Sequence, residues 1–341
     1  MESKFLLGTY TRKSSQGVYS AVLDEDAGQI KELTLVLKEV SPTYLTTAKS
    51  GVLYTVGADE NGGGISAYEK TPQGYQFLNA VTKDGSAPCY VAVDEARQLV
   101  YSANYHQGTL RTYQIQADGT LQLATEVHHT HPTGPNPNQN VQHVHYTDLT
   151  PDSRLVACDL GTDEVYTYDV AADGQLTPVA IYQTAAGAGP RHLVFHPTLA
   201  VAYLINELNS TVSVLKYFPD GHFEQQQTLG TLPEKFTGEN SGGAIRIAKD
   251  GRTLYASNRG HNSIAIYDVE PDGLTLTLKE IISTHGDFPR DFALSPSGEF
   301  LICAHQKSDQ LSLFKVQANG SLHFLNNDTW APEAVCVYFE K

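Results

Sequence analysis

Short apolar runs, each followed by a polar turn and an alternating run, recur along the whole chain. The clearest copies are LVYSANYHQGTLRTYQI (99–115), RLVACDLGTDEVYTYDV (154–170), AYLINELNSTVSVLKY (202–217), LYASNRGHNSIAIYDV (254–269) and LICAHQKSDQLSLFKV (301–316). Weaker copies at 5–23 and 53–70 bring the number to seven. The alternation has the two-residue period of a half-buried strand, and no window sustains the 3.6-residue period of an amphipathic helix. Equivalent positions are Leu6, Tyr54, Tyr101, Val156, Tyr203, Tyr255 and Ile302, separated by 48, 47, 55, 47, 52 and 47 residues. A repeat near 47 residues with room for four short strands predicts an all-β, seven-bladed β-propeller that occupies residues 1–341 as a single domain.

Each unit reads as strands A to D. Strand A follows a Pro- or Gly-rich entry such as Ala87-Pro88 or Gly189-Pro190, and the quoted runs are strands B and C. Pairs such as Asp173-Gly174 and Asp272-Gly273 turn the chain into strand D, because glycine tolerates the positive φ of a tight hairpin. Segment 331–340 looks like a strand A without B, C and D, whereas 5–40 supplies B, C and D without A. Pairing the two ends would close the ring and leave no free edge there. Two connections are long, 126–143 and 231–243; both precede a strand A and so belong to one face, where long loops are often functional.

The start of each strand A lies beside the end of strand B, near the axis. The A column reads Thr43, Cys89, His145, Arg191, Gly243, Arg290, Glu333; the B column reads Tyr10, Ala58, Tyr105, Leu160, Glu207, Arg259, Gln306. A scaffold position should repeat its chemistry, as Asn104, Asp159, Asn206 and Asn258 do; these read as caps of the B–C turn. The two columns do not repeat, and they bring Arg191, Arg259, Arg290, His145 and Glu207 to one end, with Lys307 adjacent. Non-repeating charge on a repeating frame points to a site.

Composition sharpens this. With Lys+Arg 23 against Asp+Glu 38 the net charge is −15. Such a balance argues against nucleic acid and anionic membrane surfaces as partners, both of which are held through excess basic residues. Converging arginines in so acidic a chain imply a small anionic ligand carrying phosphate or carboxylate. The start of the chain runs straight into a strand-like segment, so no signal peptide is expected. The four cysteines are widely spaced, and a reduced, cytoplasmic protein is the simplest expectation. The pattern of a serine nucleophile elbow is absent, as is that of a phosphate-cradling nucleotide loop. His143 and His145 would share a strand face, but acidic partners are sparse around them and no metal is expected. His128, His129 and His131 fall in a segment that reads as a flexible loop, and His192 and His196 read as structural. The oligomeric state is not readable.

GAGPRHLVFHP (187–197) followed by NELNSTVSV (206–214) resembles the seven-bladed propeller lactonase family, which includes 6-phosphogluconolactonase of the cycloisomerase-like type and carboxy-muconate cyclase. Further matches are GTYT (8–11), HVHYTDLTPDSRLVACDLGTDEV (143–165), PEKF (233–236), DGRTLYASNR (250–259) and FPRDFALSPSGEFLICAHQKSDQLSLF (288–314). One departure is Gln142, where the family usually has proline. The resemblance implies hydrolysis of 6-phosphogluconolactone to 6-phosphogluconate in the pentose phosphate pathway, without a metal or other cofactor. It carries the acid–base and anion-binding roles onto His145, Glu207, Arg191 and Arg259. In the combined reading Glu207 or His145 activates water, Arg191 supports the oxyanion and His145 protonates the leaving oxygen. Arg259, Arg290, Lys307 and Gln306 bind substrate. A muconate-type lactonizing cycloisomerase and a non-enzymatic binding scaffold are the alternatives.

Overall fold

A computed structural model describes residues 1–340, apart from the side chain of Glu32. The chain forms seven four-stranded antiparallel sheets. Strands β1 (Glu2–Thr9), β2 (Gly17–Asp24) and β3 (Gln29–Lys38) belong to the first, and β4 to β7 (Leu45–Thr47, Leu53–Asp59, Gly62–Thr71, Gly74–Lys83) form the second. The third holds β8 to β11 (Tyr90–Asp94, Leu99–Asn104, Thr109–Ile115, Leu121–His128), and the fourth β12 to β15 (Val144–Leu149, Leu155–Asp159, Glu164–Val170, Leu176–Gln183). The fifth contains β16 to β19 (Pro190–Phe195, Val201–Asn206, Thr211–Tyr217, Phe223–Gly230), and the sixth β20 to β23 (Ser241–Ile247, Thr253–Arg259, Ser263–Val269, Leu276–Ser283). The seventh is β24 to β27 (Pro289–Leu294, Phe300–His305, Gln310–Val316, Leu322–Trp330).

The hydrophobic pattern follows from this stacking. A second strand such as β17 is buried along its whole length, because neighbouring blades cover both its faces. The outermost strand β19 is exposed at most positions, so its sequence FEQQQTLG is largely polar. Apolar clusters therefore straddle pairs of blades: Tyr203 and Ile205 of the fifth pack with Leu254 and Ala256 of the sixth.

The repeat's alignment positions carry much of this register. The hydroxyls of Tyr54, Tyr203 and Tyr255 donate to the carbonyls of Gly119, Gly273 and Gly320, each in the hairpin turn of the following blade, at 3.1, 2.8 and 2.8 Å. Those glycines have φ of 84°, 72° and 82°, which explains the glycine in each turn. Each bond contributes about 1 kcal/mol net and fixes one blade's depth against the next.

Ring closure is as the sequence predicts. Strand β28 (Ala334–Phe339) pairs antiparallel with β1, from Phe5 opposite Phe339 to Thr9 opposite Ala334. The register corrects one position. Val335, not Glu333, lies where the pairing shifts between Gly8 and Thr9, and so takes the place expected of Glu333 in the A column. Glu333 lies just before the strand at φ 51°. Its buried carboxylate accepts the backbone N–H groups of Arg12, Lys13, Ser14 and Ser15.

Ala334, Val335, Cys336 and Val337 are buried in the closing strand. Deleting 331–341 should therefore cost about 5 kcal/mol of unfolding free energy and lower the urea midpoint of the whole ring. A truncated chain that unfolds at the full-length midpoint would contradict closure as a source of stability.

Candidate functional site

Bulges at the inner ends of the A strands build the site. Pairing shifts between Val144 and Tyr146, Pro190 and His192, Gly242 and Ile245, and Pro289 and Asp291. His145, Arg191, Gly243 and Arg290 are thus extra residues in otherwise regular ladders. A bulge re-aims the side chain it carries, and here the carried side chains converge on the axis. Gly243 is needed for a separate reason: a Cβ there would lie 2.4 Å from Ser257 Oγ, inside contact distance.

Between the blades opens a cavity of about 560 Å³. Tyr10, Ala58, Tyr105, His145, Glu207, Arg259 and Arg290 line it, joined by Arg12, Thr43 and the 86–89 segment. Both columns therefore meet, although Leu160 and Gln306 of the B column are not among the lining residues. Beneath it a void of about 10 Å³, the size of one water, is lined by His145, Arg191, His192, Arg290 and Asp291.

Glu207 is the hub. Its Oε2 lies 2.6 Å from Arg259 Nη2 and 2.9 Å from Arg191 Nε. The Arg191 contact is an ion pair without hydrogen-bond alignment, since Nε makes no hydrogen bond. Both guanidinium groups are also held from the sixth blade: Arg191 Nη1 donates to Gly243 O at 2.8 Å and Arg259 Nε to Gly242 O at 3.1 Å. Burial pushes the Glu207 carboxyl up, but Arg259, Arg191 and Arg290 outweigh it and hold the group below its ordinary range. Burial, reinforced by Arg259, lowers Arg191 to about 9.

His145 responds in the opposite sense. Burial, then the charges of Arg191, Arg290 and Arg259, hold it well below 6.5, so the ring is neutral near pH 7. Its Nδ1 is buried without a hydrogen-bond partner, as is Nδ1 of His192, whose ring centroid lies 5.1 Å away. His192, read from sequence as structural, therefore belongs to the floor of the site; its position directly after Arg191 was the available signal.

The other candidates separate. Arg191 is buried under Glu207 and lines the small void, not the larger cavity. Arg259 and Arg290 line the larger cavity. Lys307 is exposed, its ammonium 4.0 Å from the Phe288 ring centroid, and neither it nor Gln306 is a lining residue. Arg12 lines the cavity but lies in the β1–β2 connection, outside both columns, which is why the repeat does not reveal it.

The histidine-rich connection differs from the flexible loop expected. His129 is buried between Asp159, 2.8 Å from Nδ1, and the Tyr168 hydroxyl, 2.9 Å from Nε2. His143 stacks on Tyr105 at 4.0 Å with both ring nitrogens hydrogen-bonded, and His131 meets Glu164. Residues 129–142 do not line the cavity, and neither do 231–241. Asn104 and Asp159 cap their turns as expected; Asn258 instead bonds Thr231 and Asn240 of the second long connection. Among the described residues, no group of three or more His, Cys, Asp and Glu could hold a metal ion.

The seven-bladed propeller thus carries, in one cavity, a carboxylate bridging two arginines together with a neutral histidine. The chain belongs to the family described as lactonase, 7-bladed beta-propeller, whose model matches residues 4–339. It is 39% identical over 340 residues to the 6-phosphogluconolactonase of Bacillus subtilis (strain 168), covering 98% of this chain and 97% of that one. A crystal structure of a protein from Lactobacillus plantarum superposes with a TM-score of 0.98 at 45% identity over 100% of both chains. The Pseudomonas aeruginosa periplasmic gluconolactonase superposes with 0.93 at 31% identity over 99% of each.

The charge arrangement makes a stability prediction. Glu207→Gln leaves Arg191 and Arg259 buried against each other and should lower unfolding free energy by about 3 kcal/mol. Arg290→Gln removes a like charge and should change it by less than about 1 kcal/mol. Urea unfolding of both variants checks the contrast; equal losses would contradict it.

Proposed function

We propose that this protein hydrolyses a phosphorylated sugar lactone, 6-phosphogluconolactone, to the open acid, in the pentose phosphate pathway. The observation that carries the reading is a neutral His145 beside Glu207 bridged by two arginines, in a cavity whose cations outnumber its carboxylates. The family membership and the B. subtilis relative support the substrate class. Four free thiols favour a reducing, cytoplasmic location.

The geometry favours His145 over Glu207 as the base. Glu207 Oε2 is taken up by Arg191 and Arg259, whereas the neutral His145 lines the cavity without an ion pair and can accept a proton from water there. Water attacks the lactone carbonyl as its proton passes to His145. The new C–O bond converts the carbonyl to an oxyanion, which Arg259, exposed to the cavity, stabilises. The imidazolium formed is destabilised by burial and three neighbouring arginines, so it readily returns its proton to the ring oxygen as the C–O bond breaks. Arg191, expected from sequence at the oxyanion, is better suited to holding Glu207 and the floor in place. Arg290 faces the anionic end of the substrate, and the exposed Lys307 adds positive charge outside the cavity, whereas the neutral Gln306, also outside it, has no part.

His145→Ala should lower kcat/KM for 6-phosphogluconolactone by about 100-fold or more, and Glu207→Gln should also impair it by unclamping the arginines. Both variants retaining full activity, after correction for spontaneous hydrolysis, would reject the site. The pH profile is a separate check. His145 must be unprotonated to act, and its pKa lies below 6.5, so activity is lost only as pH falls through that depressed value. The expected kcat/KM is level from pH 8 down to about 6, with the acid limb lower. An acid limb centred at 6.5 or above would exclude His145 as the base.

A further inference from the structure

Arg12 has no part in the hydrolytic scheme, and Arg290 is free of the Glu207 cluster's ion pairs. Their guanidinium carbons lie 3.9 and 5.6 Å from the centroid of one ring, Tyr10, and all three side chains line the cavity. Among the described residues neither arginine has a carboxylate within 4 Å, whereas Arg191 and Arg259 share Glu207. The Tyr10 ring favours each cation, but no carboxylate among the described residues compensates either positive charge at the cavity wall.

The loop that carries Arg12 is held in place. Glu333, 4% exposed, accepts the backbone N–H groups of Arg12 at 3.1 Å, Lys13 at 2.9 Å, Ser14 at 3.1 Å and Ser15 at 3.3 Å. The carboxylate is used on the backbone and leaves the Arg12 guanidinium unpaired. A loop fixed in advance lowers the ordering cost of binding a ligand at the Arg12 guanidinium.

We infer that Arg12, Tyr10 and Arg290 form a subsite for a phosphate monoester dianion, distinct from the Glu207 cluster that faces the reacting carbonyl. This assigns the phosphate of the proposed substrate to one side of the cavity, and for the identity of the attached lactone it rests on the hydrolytic reading. A phosphate monoester presents two charges and three oxygens, enough for two guanidinium forks. A single carboxylate can bridge two guanidinium groups, as Glu207 does, but it brings one charge against two and lacks the third oxygen. The cavity of about 560 Å³ has room for a six-carbon lactone between the subsite and His145.

Two measurements on wild type, Arg12→Gln and Arg290→Gln test this. The first is the ratio of kcat/KM for 6-phosphogluconolactone to that for unphosphorylated gluconolactone. It should fall at least tenfold in each variant, chiefly through KM for the phosphorylated lactone; an unchanged ratio overturns the subsite. The second is calorimetric binding of glucose 6-phosphate, which carries the phosphate monoester without a carboxylate and needs no turnover. Affinity should fall at least tenfold in each variant, and variants that bind like wild type overturn the subsite whatever the activity. If wild type hydrolyses neither lactone but the variants still lose affinity, the hydrolytic reading fails and the subsite stands. Arg12 is exposed, so its replacement leaves the packed ring intact and the binding result interpretable.

Discussion

Everything at the axis depends on one constraint: Glu207 must hold two arginines together inside the ring. Arg191 and Arg259 come from different blades, and without the shared carboxylate their buried charges would repel. The carboxylate alone does not suffice. The Gly242 and Gly243 carbonyls accept from the same two guanidinium groups, and a Cβ at Gly243 would crowd Ser257 Oγ and the Pro289 carbonyl. The neutral state of His145 follows from this cluster, since burial and the three surrounding arginines oppose its protonation.

Such a cluster needs a frame that does not yield. Blades packed through apolar faces and pinned by tyrosine-to-glycine hydrogen bonds supply it, and the pairing of β28 with β1 removes the one seam. The regular strands define the axis, and the bulges direct chemistry toward it. Catalytic variety on a propeller thus requires changes only at the bulged and strand-end positions, while the repeating pattern continues to specify the ring.

That division also explains what the sequence could convey. The repeat length and the alternating pattern gave the blade number, the ends' pairing and most of both columns, because these depend on local period and burial. His145, Glu207, Arg259 and Arg290 were legible as departures from repetition. Glu333 was misplaced because a bulge shifts phase within strand A, and the closing strand has no following strand in sequence to correct it; Val335 holds that place. Arg12 was not legible because the loop that presents it is fixed by a residue 321 positions away. The histidine-rich connection looked mobile in sequence because its partners, Asp159, Glu164 and Tyr168, lie in the blade after it.

The acidic surface and the cationic axis are two parts of one design: the chain carries −15 overall, yet four arginines and one glutamate gather at the site. The central claim is that this concentration of positive charge serves lactone hydrolysis. The most direct test is the disappearance of freshly prepared 6-phosphogluconolactone with wild-type protein, measured against its spontaneous loss. The account predicts a saturable rate, proportional to protein concentration and well above the spontaneous one; a rate that never exceeds the spontaneous background would contradict it.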